Sequence, residues 1–192
     1  MLRRTHRLLQ WLVLGSVVGV AAGIASAVFL YLLSFVTDFR DSNEVIVFAL
    51  PLAGIAMGFA LQRWGGPVRG GNNLVIDTVH DESDRIPLSV VPAILGGTVL
   101  THLFGGSAGR EGAAVQMGAA LADEVSHRLC VRRETRTQLL AAGVAGGFGA
   151  VFGTPIAGMV FGLEVVHLGK IEYTSLVPAL VASVVGDMTA RA

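Results

Sequence analysis

The groups with chemistry to offer in this chain are one carboxylate and the backbone of two glycine-rich breaks. Glu111 stands in Gly105-Gly106-Ser107-Ala108-Gly109-Arg110-Glu111-Gly112, and the stretch after it is apolar to about Ala122. The second break is Gly70-Gly71-Asn72-Asn73. Each puts unwound backbone at the start of a helix. The first N–H groups of a helix lack internal partners, and its dipole makes that end positive. Such an end holds an anion without a buried cation. The candidate anion-binding residues are therefore Gly71, Asn72 and Asn73 at one break, and Gly109, Arg110 and Gly112 at the other. Glu111 is different. An ionisable group inside an apolar span is expensive and marks a functional site by default. Ionised, it competes for the anion's place; protonated, it leaves, which would make it both gate and proton carrier. The plainer alternative is an Arg110–Glu111 ion pair at a helix start.

The elements that hold these groups are apolar helices. Of 192 residues, 53% are hydrophobic and 15% charged, with a mean hydropathy of +0.66. Soluble domains carry roughly a quarter of their residues as charges. No Asp, Glu, Lys or Arg falls between Arg7 and Asp38, Arg85 and Arg110, or Arg136 and Glu164. Each gap suffices for the roughly 20 residues of a membrane span. The expected fold is all-α, a polytopic bundle. Spans are expected over about Leu8–Val36, Glu44–Gln62 and Pro87–Phe104, and then from Arg110 to about Ala122. A tight helix pair after Arg136, split near Gly147–Pro155, and a last helix over Tyr173–Val185 complete it. Asn72–His80 is too short to cross and reads as re-entrant. Irregular backbone at membrane depth is tolerated only beside protein or a water-filled path, and broken helices aimed at the midplane are a transporter device.

Other signals read more plainly. Glycines at 15, 19 and 23, and at 54 and 58, are spaced for close helix packing. Glu164, His80 and His102 suit the interface. Fourteen basic and fourteen acidic residues balance, so nucleic acid is not an expected partner. The single Cys130 excludes an internal disulfide and a cysteine-based metal cluster. Without a Ser-His-Asp arrangement, a His-x-x-Glu-His run or a phosphate loop, the chain reads as a non-enzyme with no metal or cofactor. Arg3, Arg4 and Arg7 precede an apolar run too long for a signal peptide, so the run reads as a retained helix. By the positive-inside rule the N-terminus is cytoplasmic, with Arg63, Arg69, Arg128, Arg132, Arg133 and Arg136 on the same side.

Gly109-Arg110-Glu111-Gly112 resembles the Gly-(Lys/Arg)-Glu-Gly-Pro signature of the CLC family of chloride channels and anion/proton antiporters. Gly147-Phe148-Gly149-Ala150-Val151-Phe152-Gly153-Thr154-Pro155-Ile156-Ala157-Gly158 is similar to the family's Phe-x-x-Pro-x-x-Gly helix pair. Gly70-Gly71-Asn72-Asn73-Leu74-Val75 takes the place of its Gly-Ser-Gly-Ile-Pro loop. The resemblance implies a CLC-type bundle with re-entrant broken helices. It implies that Asn72 and neighbouring amides face a central anion, that Glu111 is the external gating glutamate, and that Gly112 supplies an amide. Asn72 replaces Ser, Val75 replaces Pro and Ala113 replaces Pro, while Val165, beside Glu164, stands where chloride/proton exchangers carry a second carboxylate. With Gln116-Met117-Gly118, this pattern resembles the fluoride/proton antiporter branch; a small, strongly hydrated anion suits an amide donor.

The resemblance covers the first of two inverted repeats, from about residue 8 onward, as a single transmembrane domain. The expected role is half of a cell-membrane transporter exchanging fluoride for protons, acting as a homodimer or with a missing C-terminal half. The alternatives are a chloride channel or chloride/proton exchanger, and a non-conducting structural or assembly subunit.

Overall fold

The computed structural model describes residues 2–81, 85–166 and 173–192. The side chains of Arg3, Arg4, Arg7 and His80, weighed above, lie outside the described set. Among the described residues there are helices and no strands. The order is α1 (Leu2–Asp41), a 3₁₀ turn (Glu44–Ala49), α2 (Leu50–Trp64), α3 (Asn72–Asp81), α4 (Val90–Leu103), α5 (Arg110–Arg128), α6 (Arg133–Phe152), α7 (Pro155–Val166) and α8 (Leu176–Arg191). Leu8–Asp41, Glu44–Arg63 and Tyr173–Arg191 are long and apolar enough to cross a membrane.

One expected span is shorter than the sequence suggests. Residues 87–89 form a turn, so the third span is the 14-residue α4. At 1.5 Å per residue that is about 21 Å, against a hydrocarbon core of about 30 Å. The split pair is likewise built from part-length pieces. α6 ends at Gly153, whose φ of 66° is a left-handed cap, and α7 restarts at Pro155 for 12 residues. Gly153 suits the left-handed cap because it has no Cβ.

Small residues set the packing. A methyl built on Gly19 would come within 2.7 Å of the Ala182 carbonyl oxygen, and one on Gly23 within 2.6 Å of that of Gly186. The G-x-x-x-G stripe of α1 is therefore the seam against α8. α5 and α6 touch through backbone at Gly118 and Gly143, where either methyl would collide with the other residue's carbonyl. Around these seams Val18, Phe29, Leu33, Met117, Leu139 and Val144 are fully buried. The outer face of α1 keeps Val13, Ile24, Tyr31 and Phe35 exposed, as a lipid-facing helix does.

Gly54 and Gly58 depart from expectation. Among the described residues, no atom beyond the helix's own backbone and the chain neighbours lies within 4 Å of a methyl on either, and Leu52, Ile55 and Phe59 are exposed. α2 stands at the edge of this chain, so its small residues have no neighbouring backbone to approach. The contrast is testable. Gly118→Ala should lower stability by about 1–3 kcal/mol, because backbone must shift. Gly58→Ala should be neutral or stabilising by up to about 1 kcal/mol, through helix propensity. Thermal melting in detergent compares them, and equal melting temperatures would refute the seam.

The basic residues near the α5–α6 turn are not all a solvated face. Asp123 is fully buried, and Arg136 donates from Nε to its Oδ1 at 2.6 Å and from a terminal nitrogen to Oδ2 at 3.1 Å. The Ile86 N–H donates to the same Oδ2 at 2.8 Å, and His127 Nδ1 lies 3.5 Å from Oδ1. Arg128 and Arg85 pair with Glu124 nearby. Cys130 is a free, exposed thiol after α5.

Candidate functional site

Two helix starts converge. α3 begins at Asn72 directly after Gly71, whose φ of 56° and ψ of −137° turn the chain sharply into the helix. An L side chain is strained in that backbone region. α5 begins at Arg110 after Gly109, which is extended at φ −66° and ψ 137° and places no side chain on the amides. The first N–H groups of α5 are thus left for another acceptor.

The side-chain geometry joins them. Gln116 Nε2 donates to Asn72 Oδ1 at 3.1 Å. Gly112 lies one turn before Gln116, and a methyl on it would sit 3.5 Å from Asn72 Oδ1 and 3.6 Å from Nδ2. The Asn72 carboxamide therefore lies against the first turn of α5, beside Gly112. Glu111 is exposed and turns back over its own helix start; a methyl on Gly109 would lie 3.0 Å from Glu111 Oε2. The simple ion pair between Arg110 and Glu111 does not form among the described residues, and both side chains are exposed. Asn73 is exposed and Gly71 half-buried.

Of the sequence-predicted set, Asn72 and Gly112 are brought into contact, and Gly109 and Glu111 share the other helix start. The side chains of Asn73 and Arg110 join neither group by a hydrogen bond among the described residues. Gln116 was visible only as part of a family-like run. Its signal was available: it is the single amide in the apolar stretch 113–122, four residues after Gly112 and so on the same face. The Asp123–Arg136 pair had no such signal, because the two are separated by a helix turn and a loop. His102 Nδ1 lies 2.9 Å from the Thr98 carbonyl oxygen, a local contact within α4. Glu164 is exposed near the end of α7, and Val165 packs against a buried apolar cluster. Phe148 stacks on Phe161 with ring centroids 4.4 Å apart, tying α6 to α7.

Among the described residues, a site of this kind offers amide donors, the Glu111 carboxylate and the Arg110 guanidinium, and no nucleophile–base pair. It can stabilise a small anion and exchange a proton. Residues 53–192 match the family described as voltage gated chloride channel. The chain is 49% identical over 183 residues to a "Chloride/fluoride channel protein" of Pseudomonas syringae pv. tomato, covering 95% of this chain and 40% of that protein. It is 33% identical over 169 residues to an "H(+)/Cl(-) exchange transporter ClcA" of Vibrio vulnificus, covering 80% and 36%. Its fold matches the crystal structure of a CLC-type fluoride/proton antiporter with a TM-score of 0.89 and 38% identity, over 96% of this chain and 47% of that one. The chain thus spans less than half the length of each of these proteins.

Proposed function

The chain belongs to the voltage-gated chloride channel (CLC) family, and from that premise we propose that it forms half of a pathway exchanging fluoride for protons. The observation that carries the reading is the Asn72 carboxamide beside Gly112 in the first turn of α5, held by Gln116, with Glu111 in that same turn. An amide N–H is a strong enough donor to replace part of fluoride's hydration. The α5 amides add positive potential at that helix start. Glu111 is the acidic residue in the first turn of that helix. The family is one of transporters and channels, so no enzymatic role is assigned.

The relatives' remaining length would supply the rest of the path, as a continuation of the chain or as a partner, and the assembled unit would work as a homodimer. The bilayer face is the apolar exterior of α1, α2 and α8. This is a multi-pass membrane protein; we place it in the cell membrane with the N-terminus in the cytoplasm, from the distribution of arginines.

The name of the Vibrio relative favours a second reading, chloride/proton exchange. Asn72→Ser separates the two. Ser keeps a hydroxyl donor but lacks the amide geometry, so the variant should shift the fluoride-to-chloride flux ratio toward chloride by about tenfold, the worth of one good hydrogen bond. Electrode-monitored efflux from liposomes, with the second half of the transporter supplied, reads that ratio. An unchanged ratio would remove Asn72 from selectivity. A wild type that moves chloride and no fluoride would replace the first reading with the second. No flux of either anion would leave the chain as a structural or assembly subunit.

A further inference from the structure

We infer that Gln116 is a positioning residue that sets anion selectivity by fixing which face of the Asn72 carboxamide meets the anion; the inference rests on the anion-pathway reading above. A primary carboxamide is nearly symmetric in shape and opposite in chemistry. One side is an NH₂ donor, the other a carbonyl acceptor. An Asn free to turn would offer an anion its oxygen as readily as its nitrogen. Gln116 removes that freedom. Its Nε2 donates to Asn72 Oδ1 at 3.1 Å, which occupies the acceptor and leaves the Nδ2–H donors for the ion. The missing side chain at Gly112 lets the amide lie within 3.5–3.6 Å of where a methyl would stand.

The second observation comes from Gln116 itself. It is 7% exposed, and its Oε1 is buried with no hydrogen-bond partner. A buried orphan acceptor is unfavourable. In an α5 segment of Ala113, Ala114, Val115, Met117 and Ala119, a Leu or Met would fill the same space without that penalty. An amide kept in such a place makes its contribution through the single bond it donates. The reverse arrangement, with Gln116 Oε1 accepting from Asn72 Nδ2, would bury an orphan NH₂ instead and turn Asn72 Oδ1 toward the anion.

The test is a double-mutant cycle on the full assembly in liposomes, reading the fluoride-to-chloride flux ratio. Gln116→Leu should lower the ratio about tenfold when Asn72 is present, the loss of one oriented donor. In the Asn72→Ser background it should change nothing further, because a hydroxyl rotates freely and needs no partner. Gln116→Met keeps the side-chain length if Leu disturbs folding. It also removes the Nε2 donor, so it should lower the ratio as well. An unchanged ratio in either variant overturns the inference, and so does an equal drop in the Asn72→Ser background, which would mean general packing. A wild type preferring chloride overturns the fluoride reading alone, and the cycle is then read on chloride rate.

Discussion

Glu111→Gln is expected to abolish proton movement while anion flux continues. Glu111 lies in the first turn of α5, where the extended Gly109 provides no side-chain cap. The uncapped amides can be met by a carboxylate or by a free anion, and the two compete for one positive helix end. Protonation removes the carboxylate's charge and hence its claim on those amides. On the proposed reading, that alternation would link anion movement to proton movement, provided the side chain is free to move. Its exposure, and the absence of an ion pair to Arg110 among the described residues, leave it free. Gln preserves size and polarity but neither takes nor releases a proton. Proton uptake falls to background, and the anion runs down its own gradient. A pH-sensitive dye and an anion electrode in the same liposomes measure both, and persisting stoichiometric proton uptake would exclude Glu111 as the carrier.

The largest loss of stability is expected from Asp123→Ala. The carboxylate is fully buried, bridged by Arg136 at 2.6 and 3.1 Å, and also accepts the Ile86 N–H at 2.8 Å. It therefore joins α5, α6 and the segment leading into α4 at one point. Removing one member of a buried ion pair costs about 3–5 kcal/mol, and here it also takes the acceptor from the Ile86 N–H. Replacing both partners with apolar groups, as in Asp123→Leu with Arg136→Met, should recover more than half of that loss. The pair's attraction does little more than offset its own desolvation. Thermal melting of Asp123→Ala, Asp123→Leu, Arg136→Met and the double variant in detergent decides it. A single Asp123→Ala variant that melts like wild type would show the pair to be peripheral.

The charge-free gaps identify a helical membrane bundle directly, because hydropathy is a property of each segment taken alone. Gly71 and Gly109 announce helix starts by residue type, and Glu111 announces itself as a carboxylate in an apolar run. Gly15, Gly19 and Gly23 foretell a close approach without naming α8 as the partner. Among the described residues, the same pattern at Gly54 and Gly58 meets no other helix within 4 Å of an added methyl.

The sequence by itself therefore determined the elements, their breaks and the chemical types at each break. Those follow from propensity, hydropathy and the local geometry of a helix end. Only the tertiary structure decided which breaks meet. The α3 and α5 starts are 38 positions apart along the chain (Asn72 to Arg110), and no local rule brings Asn72 over Gly112 or lets Gln116 reach it. Nor could sequence tell that Arg136 leaves its basic neighbours to pair with a buried Asp123. Those contacts arise because α5 and α6 can press backbone to backbone at Gly118 and Gly143, and that packing sets where every side chain on either helix arrives.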